Sequence, residues 1–106
     1  MRIDVSSDAK DRILDYLEEI ILVGGGRKVA ATVMERIDAE IEDLIVTAYL
    51  GRAVPLETED DTLRIVRCTG GFFLCALQPD TVSIVTFFRD SEIDDVLKTL
   101  VPKGQA

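Results

Sequence analysis

Three arginines stand where the pattern around them is apolar. Arg64, Arg67 and Arg89 lie inside or at the end of the stretch LRIVRCTGGFFLCALQPDTVSIVTFFR, residues 63–89. A guanidinium carries five donors in a fixed fork and keeps its charge, so on a strand it can grip a carboxylate or a phosphate. Two readings stay open. The arginines cover a solvent edge and pair with the surplus acids, or they form a recognition surface for an acidic or nucleic-acid-bearing partner. On hydrophobic strands they mark a face that is not buried in the core.

The other reactive groups offer less. The chain has no histidine, which removes the commonest general base and metal ligand. GxGxxG, GxxxxGK[ST] and GxSxG are absent, and Gly24–Gly26 opens a helix without following a strand, so it makes a weak phosphate loop. Glu57, Glu59, Asp60 and Asp61 could gather a divalent cation. They lack the alternating ligands and central glycine of a calcium loop, and a solvated loop is the simpler reading. Cys68 and Cys75 flank Gly70-Gly71. If those glycines form the turn, the thiols are diagonal neighbours about 7 to 8 Å apart at Cα, beyond usual disulfide reach. They read as reduced core residues of a cytoplasmic protein, with no metal site and no cofactor box.

Charge and length set further bounds. The net charge is −8 and the isoelectric point near 4.4, which argues against a general nucleic-acid binder. The acidity is spread over both halves. Residues 1–50 hold six basic against eleven acidic side chains, and residues 51–106 six against nine. A chain of 106 residues with 47% hydrophobic and 30% charged residues reads as one soluble domain, 1–106. It lacks the long uncharged apolar run of a membrane span, and its start is too polar for a secretory signal.

The elements that must position these residues are legible. The stretch 63–89 splits into three short apolar runs at Gly70-Gly71 and Gln78-Pro79-Asp80, which predicts three successive antiparallel strands. The last run, Thr81 to Phe88, is apolar on both faces, as an inner strand covered by helices would be. Upstream, Ile3 and Val5 alternate with Arg2 and Asp4 as a short edge strand, and Ser6-Ser7-Asp8 caps a helix running to about Val23. The three glycines stop it. A second apolar stripe from Val29 to Ala48 predicts a partner helix, with Glu35, Asp38, Glu40, Glu42 and Asp43 on its other side. The two helices form an antiparallel hairpin whose shared apolar face covers the sheet, with stripes that a three- or four-stranded sheet need not cover in full. Tyr49 to Asp61 connects hairpin to sheet, and Asp90, Ser91 and Glu92 offer caps for a last helix, Ile93 to Leu100. The fold class is α+β.

This order of elements, with Leu50-Gly51-Arg52-Ala53-Val54-Pro55, Leu63-Arg64-Ile65-Val66-Arg67-Cys68, and Phe72-Phe73 leading to Val82-Ser83-Ile84-Val85, resembles the ParE branch of the RelE/ParE toxin superfamily. The resemblance spans about Ile3 to Leu100. It implies the toxin of a bacterial type II toxin-antitoxin, or plasmid stabilisation, system, neutralised by a ParD-like antitoxin and poisoning DNA gyrase. RelE-like relatives instead cut messenger RNA on the ribosome with basic residues and often a tyrosine or histidine near the sheet's end. Here that place holds Phe88-Arg89-Asp90, and 91–100 has neither residue. The departure favours gyrase and a non-enzymatic inhibitor without catalytic residues or direct nucleic-acid binding. A RelE-like nuclease, or a non-toxic module that only binds its antitoxin, remains the alternative. Arg52, Arg64, Arg67 and Arg89 are the candidate contacts to target or partner.

Overall fold

The computed structural model describes residues 2–53 and 63–95. In chain order its elements are β1 (Arg2–Val5), α1 (Ser7–Leu22), α2 (Gly26–Glu42), α3 (Leu44–Leu50), β2 (Arg52–Ala53), β3 (Leu63–Cys68), β4 (Gly71–Leu77) and β5 (Thr81–Arg89). A 3-10 turn, Asp90–Glu92, follows. The strands make one sheet in the order β1-β5-β4-β3-β2, with β1 parallel to β5 and the rest antiparallel. The expected meander is present and β5 is an inner strand. The last expected helix, Ile93 to Leu100, is helical over 93–95; its remainder, 96–100, and the four acids of 57–61 lie outside the described residues.

Ser6 starts α1 and also ties it to the sheet. Its hydroxyl accepts the Ala9 N–H at 3.0 Å and donates to the Val85 carbonyl at 2.6 Å. Val85 is the extra residue of a β-bulge, because Leu74 pairs with Thr86 while Cys75 pairs with Ile84. A bulge leaves backbone groups without a ladder partner. Ser6 supplies one, and Asp8 accepts the neighbouring Thr86 hydroxyl at 2.6 Å. Ser6→Ala removes the helix cap and the bulge's donor together. We expect a loss of about 1–2 kcal/mol, read as a lower urea midpoint.

Beyond β2, a fifth strand inside the stretch expected only as a connection, three details differ from the sequence reading. The second helix is two: α2 ends at Glu42 and α3 begins at Leu44, so Leu44 and Ala48 enter the core from a separate short helix. The stripe continues in sequence across this break, because both helices need an apolar side toward the same core. Second, the hairpin covers the sheet unevenly. α1 lies on β5, α2 on α1, and α3 against β3. Glu19 already meets Arg89 at the end of β5, so the last turn of α1 overhangs the sheet. Leu22 and Val23 are 84% and 76% exposed there.

Third, the turn between β3 and β4 is shifted by one residue. Cys68 pairs with Gly71, which makes Thr69-Gly70 the loop. Gly70 has φ +81, while Gly71 belongs to β4 and lies beside β5, opposite Arg89. A Cβ on Gly71 would stand 2.1 Å from the Phe88 carbonyl oxygen. Gly71 is therefore required by the close approach of strands, and the turn takes its left-handed residue from Gly70 alone. Cys68 and Cys75 consequently lie four residues apart along the sheet and not diagonally. Both are free and buried.

The sheet buries both faces. Toward the helices, Val66, Cys68, Phe73, Cys75, Val82, Ile84 and Phe87 pack with Ala9, Ile13, Ile37, Leu44 and Ala48. On the other side Ile65, Leu74 and Phe88 form a smaller core with Leu63, Phe72 and Ile93.

Candidate functional site

Paired residues of neighbouring strands share a face, and successive residues alternate. Arg64, opposite Cys75, is therefore on the helix side, and Arg67, opposite Phe72, is on the other. Arg89, opposite Gly71, returns to the helix side. The single arginine-bearing face expected from sequence is thus divided. Arg67 and Arg89 share one end of the sheet but stand on opposite faces of it.

Each has its own surroundings. The Arg67 guanidinium lies 5.4 Å from the Phe72 ring centroid and 3.8 Å from Asp90 Oδ1, with its side chain 73% exposed. Phe72 in turn stacks on Phe88. The Arg89 guanidinium bonds the Glu19 carboxylate and sits 5.8 Å from the Tyr16 ring. Its backbone N–H donates to Glu92 Oε1 at 3.0 Å, so Glu92 closes the 3-10 turn Asp90–Glu92 itself. Arg12 joins the same group, 3.2 Å from Asp8 and 3.9 Å from Glu92. A cavity of about 180 Å³ opens among Arg12, Asp15, Phe87, Arg89 and Glu92. Arg64 is half-buried and donates to the Leu63 carbonyl at 3.0 Å. Arg52 pairs through its backbone with Ile65, and its side chain lies outside what the structure describes.

Glu40, expected on the solvent side of α2, instead receives the Thr69 N–H on both carboxylate oxygens at 3.0 Å. This anchors the β3–β4 turn to the helices and fixes the end of the sheet that carries Arg67 and Arg89. The carboxylate also contributes, after burial, to pushing the Cys68 thiol well above its ordinary range. Burial alone pushes Cys75 up to about 12. Both thiols should resist alkylation near pH 8 in the folded protein and react at once in denaturant. The raised values also set a pH dependence. The unfolded chain ionises its thiols from about pH 9 while the folded chain does not, so each takes away about 1.4 kcal/mol of stability per pH unit above that point. Urea midpoints between pH 8 and 10.5 would show the fall.

One feature escaped the sequence reading. Val5, Ile13, Leu14, Met34 and Ile41, with Lys10 and Asp38, line a mainly apolar groove of about 420 Å³ between α1, α2 and the end of β1. Leu14 is 55% exposed in it. The signal was the width of the α1 stripe: Ile13 and Leu14 are adjacent, about 100° apart around the helix, so the apolar side is broader than a single row of contacts. Among the described residues no group of three or more His, Cys, Asp or Glu side chains is gathered to hold a metal.

No family model matches the chain, and no curated protein matches it. The architecture does have a counterpart among solved structures. A chain of the structure described as "Chromosomal ParDE TA system from P. aeruginosa" superposes with a TM-score of 0.66. The match covers 84% of this chain and 95% of the other at 15% identity. The chain has a ParE-like fold. At that identity the likeness lies in the architecture. No helix among the described residues is long and apolar enough to cross a membrane.

Proposed function

We propose that this protein is the toxin of a type II toxin-antitoxin pair, neutralised by a ParD-like antitoxin and acting in the cytoplasm on DNA gyrase as a stoichiometric inhibitor. The observation that carries the reading is the ParE-like architecture, matched over 84% of the chain to a member of a ParDE system.

The chemistry of the arginine-bearing end supports inhibition over RNA cleavage. A nuclease needs a group that moves a proton and cations that face the scissile phosphate together. The chain contains no histidine, and Arg67 and Arg89 stand on opposite faces, each beside a carboxylate. Such arginines serve better as contacts to a protein surface. The antitoxin would lay an amphipathic helix in the groove of Ile13, Leu14, Met34 and Ile41, its apolar anchors spaced along one face. That leaves Arg67 and the neighbouring Asp90 turn for the target.

Two measurements test this. Expressed alone in a bacterium, the protein should arrest growth, and a neighbouring antitoxin should relieve the arrest. Purified, it should block supercoiling by gyrase, while transcripts in a translating extract stay intact. Full supercoiling at saturating protein would refute the gyrase target, and unaffected growth would refute toxicity itself.

A further inference from the structure

We infer that the outer edge of β1, which no other described strand pairs, joins the same edge of a second copy across a two-fold axis through Ile3. β1 is an outer strand of the sheet. The Arg2 N–H donates to the Asp80 carbonyl at 2.8 Å and the Ser6 N–H to the Ile84 carbonyl at 3.0 Å. Backbone groups alternate in direction along a strand, so the N–H and C=O of Ile3 and Val5 point away from β5.

Sheet edges exposed in this way are normally blocked by proline, a bulge, or a charge turned inward. β1 has no proline, bulge or inward charge; what guards it is its length of four residues and the charges of Arg2 and Asp4, which a self-complementary partner would satisfy. Its inward side chains are Ile3 and Val5, both packed on the core, and its charges face out.

Those charges are self-complementary. Arg2 and Asp4 have side chains 75% and 54% exposed, two residues apart on one face of β1. In an antiparallel pair centred on Ile3, the two Ile3 residues exchange both backbone hydrogen bonds. Arg2 of each copy then stands opposite Asp4 of the other, in the more closely spaced class of pair. The same attractive contact is therefore made twice, once on each side of the two-fold axis. The exposed Leu14, beside Val5, adds apolar surface next to the seam. This inference does not depend on the protein being a toxin.

Light scattering and sedimentation of the purified protein over a wide concentration range test it. The expected result is a reversible dimer. D4R should weaken the dimer about tenfold, because both attractive pairs become repulsive, and R2D should do the same. R2D/D4R restores opposite charges across the axis and should return the affinity close to the original. Circular dichroism of each variant checks that the exposed changes leave the fold intact. A monomer at every concentration, a dimer indifferent to both single changes, or a double variant as weak as the singles would each overturn the proposal.

Discussion

Replacing Phe87 by alanine should cost about 3–5 kcal/mol and leave the protein close to unfolding at ambient temperature. Phe87 is 1% exposed and belongs to the core between sheet and helices. Its ring meets Tyr16 of α1 at 5.8 Å and Phe73 of β4 at 6.1 Å between centroids. The side chain therefore connects the helical layer with the two central strands. Truncation leaves a cavity walled by a strand pair that cannot collapse into it, which places the loss at the upper end for a core change. Urea unfolding would show a much lower midpoint. The same change at Phe72, half-buried on the opposite face, should cost clearly less.

Gly71→Ala should cost about 1–3 kcal/mol or more, although it adds a single methyl group. The added Cβ would lie 2.1 Å from the Phe88 oxygen and 2.9 Å from the Arg89 Cα, both backbone atoms that no rotamer change can move. Relief requires β4 and β5 to separate where Gly71 pairs with Arg89. Amide exchange should accordingly speed up first in Gly71–Phe73 and Phe87–Arg89. Gly70→Ala makes a useful contrast. There the nearest atoms belong to the Tyr16 ring, at 2.4 to 2.5 Å, so shortening Tyr16 should recover part of the loss. No side-chain trimming should rescue Gly71→Ala.

These two glycines mark where sequence reading reached its limit. Gly70-Gly71 predicts a hairpin turn, and a hairpin is there. Which glycine turns and which packs depends on how closely β5 approaches β4 at Phe88 and Arg89, a distance that no local pattern encodes. The one-residue difference moved Cys75 opposite Arg64 and Arg67 opposite Phe72. Faces follow from register.

The arginines illustrate the same division. Their departure from an apolar pattern was visible in the chain, and that made them candidates. Alternation alone already separates Arg64 from Arg67. The side taken by Arg89, however, depends on the bulge at Val85, which resets the alternation of β5 before its last residues. The bulge is held by Ser6 and Asp8, about eighty positions away in sequence. The cap motif Ser6-Ser7-Asp8 could be read locally, but its second role at the bulge could not.

The chain by itself therefore determined the elements: an N-capped helical hairpin, a three-stranded meander with an added edge strand, reduced buried thiols, and no histidine chemistry. Periodicity, turn residues and composition are local quantities, and they suffice for that. Only the tertiary structure decided which face each arginine occupies, that Glu40 holds the β3–β4 turn, that α1 overhangs the sheet, and that a groove stays open between the helices. Those outcomes are set by distances between segments remote in sequence, where one bulge or one close approach of strands redirects every side chain that follows.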